Sequence, residues 1–228
     1  MRRIIAFLAL ALTCGLCPAD DIKPLLKDMA KAYKALKSAH VTMDLNMIDD
    51  EDDSDSMKIK FDLLFIAPNK QRMEVTDGEQ DGAVVLMEGN KIVWYKANSD
   101  DTGKAIEEAK DDQDAKPSDD ENDNDSSPPV TGMFEDPEKR LSTDKGGAFS
   151  GTDLSSYNAT WDDKQWTVIQ ETFAKQGVIR RYYIDPKTHF VWRVTDSDTD
   201  ADKVFIDCTI RTFEADAKVD PELFKVPG

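Results

Sequence analysis

The sequence predicts an α+β chain made of one amphipathic helix followed by a long antiparallel meander. Three observations predict it. Apolar residues recur with helical spacing at the start; the period then changes to two and stays there; and the segments with that period are joined by connections of only a few residues. Parallel crossovers need a dozen or more residues, so connections this short force antiparallel neighbours.

Before the helix comes Met1-Arg2-Arg3, then an apolar stretch from Ile4 to Leu16, then Cys17-Pro18-Ala19 ahead of Asp20-Asp21. A basic start, a thirteen-residue apolar run and a small residue at the junction describe an export signal over residues 1–19, cleaved after Ala19. The run is shorter than the ~20 residues a membrane span needs. Lipid anchoring through Cys14 or Cys17 is the less favoured reading, because Thr13 and Leu16 before them depart from the small-residue pattern of such signals. With both cysteines removed, Cys208 stands alone in residues 20–228, which excludes an intramolecular disulfide or a paired-cysteine site.

From Ile22, the residues Leu25, Leu26, Met29, Ala32, Tyr33 and Leu36 form one apolar stripe, with Asp20 or Asp21 as cap and Pro24 tolerated in the first turn. After His40 the alternation begins: Val41, Met43, Leu45 and Met47, then Met57, Ile59, Phe61, Leu63 and Phe65. These read as a hairpin joined by the acidic run Asp49–Asp55. Ala67-Pro68-Asn69-Lys70 is a turn, and Gln71–Thr76 resumes the extended pattern. Ala83–Met87 and Lys91–Lys96 flank Glu88-Gly89-Asn90, a hairpin turn with residues able to adopt positive φ. Later strands are predicted over Ser156–Trp161, Trp166–Phe173, Val178–Asp185, Phe190–Thr195 and Val204–Phe213, with Asp196–Asp202 among the turn-like separators.

Charge is concentrated rather than spread. The chain has 228 residues and a formal net charge of −17; residues 99–128 carry twelve acidic side chains against Lys104, Lys110 and Lys116, and Asp49–Asp55 carries six more. Subtracting both segments leaves −2, the balance of an ordinary globular protein with two acidic inserts. The segment 99–129 has too few bulky apolar residues to offset its own ordering entropy, so a disordered acidic loop is expected there. Without clustered Lys and Arg, the charge balance argues against phosphate-backbone recognition and so against nucleic acid as a partner.

Catalytic chemistry finds little to use. His40 and His189 lie in no metal-ligand spacing, and no nucleophile elbow, phosphate loop or dinucleotide fingerprint occurs. Asp196, Asp198, Asp200 and Asp207 have a superficial calcium-loop spacing, but Ala201 stands where that loop needs glycine. Asn158-Ala159-Thr160 is a glycosylation sequon inside a strand pattern. No metal, cofactor or catalytic residue is assigned. Cys208 shares the face of Val204, Ile206 and Ile210 and reads as an inert buried thiol. Trp94, Trp161, Trp166 and Trp192 all fall in strand segments, where core packing is the default.

The order of these segments resembles the LolA family of periplasmic lipoprotein carriers. The residues that carry the resemblance are Ala67-Pro68-Asn69-Lys70 after the second strand, the Gly89–Tyr95 segment with its Trp94 and Tyr95, Tyr182–Thr188, and the ending Asp220-Pro221-Glu222-Leu223-Phe224. The sequence differs at Ala67, where the carriers have arginine before the proline. The resemblance implies a single domain over 20–228: an incomplete antiparallel β-barrel, or half-barrel, whose concave face is covered by the N-terminal helix. It also implies a monomeric, non-enzymatic periplasmic carrier of lipoprotein acyl chains or another lipid, with membrane-bound donor or acceptor proteins as partners. The alternative is an envelope sensor or interaction module with the same fold. Taking the apolar face of each strand, the expected lining is Met43, Leu45, Phe61, Leu63, Phe65, Trp94, Trp192 and Ile206, with Leu25, Leu26, Met29 and Leu36 as the lid.

Overall fold

A computed structural model describes residues 22–48, 56–78, 81–89, 91–96, 131–134, 136–143, 149 and 153–225. The expected export signal, the expected capping aspartates, the run Asp49–Asp55 and the expected acidic loop at 99–129 lie outside the described residues.

The helix α1 covers Ile22–Ala35, and its stripe is buried at Ile22, Leu26, Met29, Ala30 and Tyr33. Ten strands follow: β1 Ser38–Met47, β2 Met57–Ile66, β3 Lys70–Asp77, β4 Ala83–Glu88, β5 Lys91–Lys96, β6 Asp153–Trp161, β7 Lys164–Phe173, β8 Val178–Ile184, β9 Val191–Asp198 and β10 Val204–Ala215. They form one antiparallel sheet in the order β5-β4-β3-β2-β1-β10-β9-β8-β7-β6, which is not closed on itself. Two meanders therefore meet at its centre, where the first strand pairs with the last, Val41 opposite Phe213 and Leu45 opposite Cys208.

The strand periodicity transfers directly into burial. Val41, Met43 and Leu45 on β1 pair with Leu63, Phe61 and Ile59 on β2, so their side chains share the concave face. The same register carries that face through Met73 and Val85 on one side and Cys208, Val194 and Tyr182 on the other. All five are buried in one apolar core with α1. A turn follows β2 at a cis Ala67-Pro68 bond. Gly89 closes the β4–β5 hairpin at φ +61°, and a Cβ there would stand 3.3 Å from the Asn69 amide.

Three features depart from the sequence expectation. Asp196, Ser197 and Asp198 belong to β9 rather than to a turn, because Asp196 is held inside the sheet by both Nε and Nη2 of Arg180, at 2.7 and 2.8 Å. Trp94 is 42% exposed and Ile92 37%, although their register with Val85 and Met87 puts them on the concave side. Their face agrees with the alternation, but β5 is the edge strand and burial there depends on a cover that periodicity does not encode. Finally, a segment not anticipated as structure contributes to the core. A 3-10 turn at Thr131–Phe134 buries Met133 and Phe134, and the short helix α2, Pro137–Arg140, begins at Asp136, whose side chain accepts the Lys139 N–H.

Candidate functional site

The candidate site is the concave face and its cover. Of the expected lining, Met43, Leu45, Phe61, Leu63 and Phe65 are all buried on this face. Ile206 is partly buried against the same core. In the expected lid, Leu26, Met29 and Leu36 are buried and Leu25 is partly buried. Trp94 stands apart at the exposed edge. Trp192, partly buried, reaches Phe213 and Trp166 with ring centroids 6.4 Å away in each case, and its indole N–H has no partner among the described residues. It borders an open cleft of about 480 Å³ with Trp161, Trp166 and Arg211.

The cover is held by aromatic packing around Tyr33. That ring meets Phe134 and Phe190 edge-on at 5.2 and 5.1 Å, and Phe190 stacks on Phe213 at 4.3 Å. Phe134 continues the cluster to Phe65 on β2 at 5.2 Å. The Val191 N–H donates to Tyr33 Oη over 3.2 Å, tying the helix to the start of β9. Burial pushes the Tyr33 phenol well above its ordinary value, so the hydroxyl stays neutral. On the far side of α1, two open clefts of about 680 and 280 Å³ are bordered by Lys27, Ala30 and Glu138. The concave side carries five buried methionines: Met29, Met43, Met73, Met87 and Met133. Their unbranched thioethers repack more readily than β-branched residues.

At the β7–β9 end this face turns polar. Glu171 and Asp196 are 1% and 4% exposed, Arg180 pairs with Asp196, and the Tyr182 O–H points to Glu171 at 3.5 Å. The hydrogen bonds that Arg180 donates to Asp196 raise the Arg180 pKa, and burial raises that of Tyr182. Phe149 packs edge-on against Tyr182 at 5.2 Å. Three of the four carboxylates with calcium-like spacing serve different partners: Asp196 takes Arg180, Asp207 takes Arg193, and Asp198 accepts the backbone N–H of Asp200 and Ala201. Among the described residues, no three metal-binding side chains converge.

Cys208 is fully buried, and desolvation pushes its thiol up to about 12, far from thiolate chemistry at neutral pH. Sequence reasoning missed Phe134, Met133 and Gln71 as residues of this face. Gln71 was recoverable, since it stands in phase with Met73 and Val75. The pair Met133-Phe134 was visible only as a brief apolar interruption after an acidic tract.

No protein-family model matches the chain, and no curated protein matches its sequence. Solved structures do match. An uncharacterized conserved protein from Thermus thermophilus aligns over 90% of this chain and 93% of its own, at 10% identity and a TM-score of 0.52. MucB in the Pseudomonas aeruginosa MucA/MucB complex aligns over 91% of this chain at 11% identity and a TM-score of 0.51, and the match spans 61% of that longer chain. A LolA superfamily protein from Nitrosomonas europaea aligns over 89% of this chain and 96% of its own, at 12% identity and a TM-score of 0.43. At these identities the likeness is one of fold alone, an open antiparallel sheet with a helix on its concave side.

Proposed function

We propose that the chain is an exported, non-enzymatic carrier that holds an acyl chain, of a lipoprotein or another lipid, between the concave face of the sheet and α1. One observation carries the proposal. The apolar face of the sheet is covered not by a second sheet but by a separate helix and a short segment, 131–141, that meet it through side chains. Such a cover can be displaced without breaking any strand pairing. A chain of ~16 carbons brings on the order of 12 kcal/mol of gross transfer energy, enough to compete with the side chains that meet across the face. Much of it is consumed by lost freedom and by moving the cover. Neither a charged anchor nor a catalytic group is needed.

Native mass spectrometry of protein purified from envelope extract tests this directly. A bound mass that extraction with organic solvent removes, and that an added acyl probe restores, is the expected result. Protein that carries nothing and takes up no acyl probe refutes it.

The second reading, an envelope sensor or interaction module, is favoured by the match to MucB in its complex with MucA. Deleting residues 99–128 separates the two readings. Loss of a protein partner with acyl uptake intact favours the sensor, whereas loss of neither leaves the insert without a recognition role.

A further inference from the structure

Gln71 occupies a slot whose neighbours on both flanking strands are apolar. Its register partners are Phe65 on β2 and Met87 on β4, and Met73 and Val75 follow it on the same face of β3. Gln71 itself is 0% exposed. Neither its Nε2 nor its Oε1 meets a hydrogen-bond partner among the described residues. Buried amides are almost always paired, and one left unpaired bears its full desolvation cost. Leucine or methionine at this position would fill similar space without that cost. Nor is a lack of partners general to this face, since Asp196 is bound by Arg180 and Tyr182 reaches Glu171.

We propose that the Gln71 carboxamide is the polar anchor of the acyl site and recognises the carbonyl group at the head of a bound acyl chain. This rests on the acyl-carrier reading and specifies which part of the ligand is recognised. The Gln71 Nε2 donates to the carbonyl oxygen of an ester or amide, while Phe65, Met73 and Met87 contact the first methylenes. Oε1 remains available to a hydroxyl or N–H next to that carbonyl, as in a glyceride or an N-acyl group. A plain hydrocarbon satisfies neither atom and binds with the amide still unpaired, so the site distinguishes acyl chains from other apolar molecules of equal length.

The test uses solvent-extracted full-length protein loaded with the fluorescent apolar probe N-phenyl-1-naphthylamine. Methyl decanoate and n-undecane are compared as displacing ligands on wild type, Gln71→Leu and Gln71→Met. Both variants are expected to weaken ester binding about three- to tenfold, the worth of one hydrogen bond, while undecane binding is unchanged or improved. Infrared spectra of methyl decanoate labelled with ¹³C at the carbonyl supply a readout on the wild-type protein alone. The bound ester band should lie below its position in alkane solvent, and should return to that position in the variants. An unshifted band in wild type, or full ester affinity in both variants, overturns the anchor and leaves the carrier reading intact. If neither ligand displaces the probe, or the probe does not bind, the carrier reading itself fails and the anchor with it.

Discussion

Replacing Tyr33 with phenylalanine removes one oxygen atom from the centre of the cover and nothing else. The ring, 2% exposed, keeps its edge contacts with Phe134 and Phe190. What disappears is the acceptor for the Val191 N–H, at a residue that is 0% exposed. A buried donor left without its acceptor costs roughly 1–3 kcal/mol. Part of this is recovered because the phenol hydroxyl no longer has to be desolvated, so the expected loss is about 1–2 kcal/mol. For a chain of this size that lowers Tm by about 2–8 °C. Urea unfolding followed by tryptophan fluorescence measures the loss, and amide hydrogen exchange locates it. If α1 is a cover that opens separately, its amides should exchange faster in Tyr33→Phe while those of β1 and β10 change only with global stability. Unchanged stability would show that the hydroxyl contributes nothing. Equal acceleration in α1 and β1 would show that the helix opens only when the whole sheet does, and would refute a displaceable cover.

Three further outcomes follow from the buried polar groups. Asp196→Ala leaves the Arg180 guanidinium without its bidentate partner and should cost about 2–3 kcal/mol in urea unfolding, less than a fully buried pair because the Arg180 side chain keeps 31% exposure; the double change Arg180→Met with Asp196→Leu should recover most of it. Stability should also fall in alkali. Burial raises the Tyr33 and Tyr182 phenols and the Cys208 thiol above their ordinary values of 10.0 and 9.0, so their stabilising neutral forms persist fully below those values and the contribution is lost as pH climbs beyond them. Unfolding free energy measured from pH 7 to 11 should be flat and then decline by up to about 1.4 kcal/mol per unit for each group, with a shallower decline in Tyr182→Phe. Iodoacetamide at pH 8 should leave Cys208 unmodified in the native protein and label it fully in denaturant; rapid native labelling would contradict its burial.

The elements most legible in the sequence were those with one wet and one dry face. The alternations Val41-Met43-Leu45 and Phe61-Leu63-Phe65 fix which side chains point inward, because the pleat has a period of two. Periodicity specifies a face but not a partner. Nothing local to β1 indicates that its second neighbour is β10 rather than another strand. The same limit explains Trp94, whose face was legible while its exposure was set by an edge position. Asp196 was misread as a turn residue because its charge is neutralised by Arg180, sixteen positions away and visible only in the folded sheet. The segment 131–141 was missed because two or three apolar residues beside a highly charged tract carry no period of their own.

The pairing of β1 with β10 has a consequence in time. Thr42 and Thr212, whose hydroxyls meet at 2.7 Å in the middle of the sheet, are separated by 170 residues. Each flanking meander can form from its own local strand pairings, but the seam between them cannot form until β10 has been synthesised. A nascent chain of this design therefore joins its two halves last, however early each half has folded.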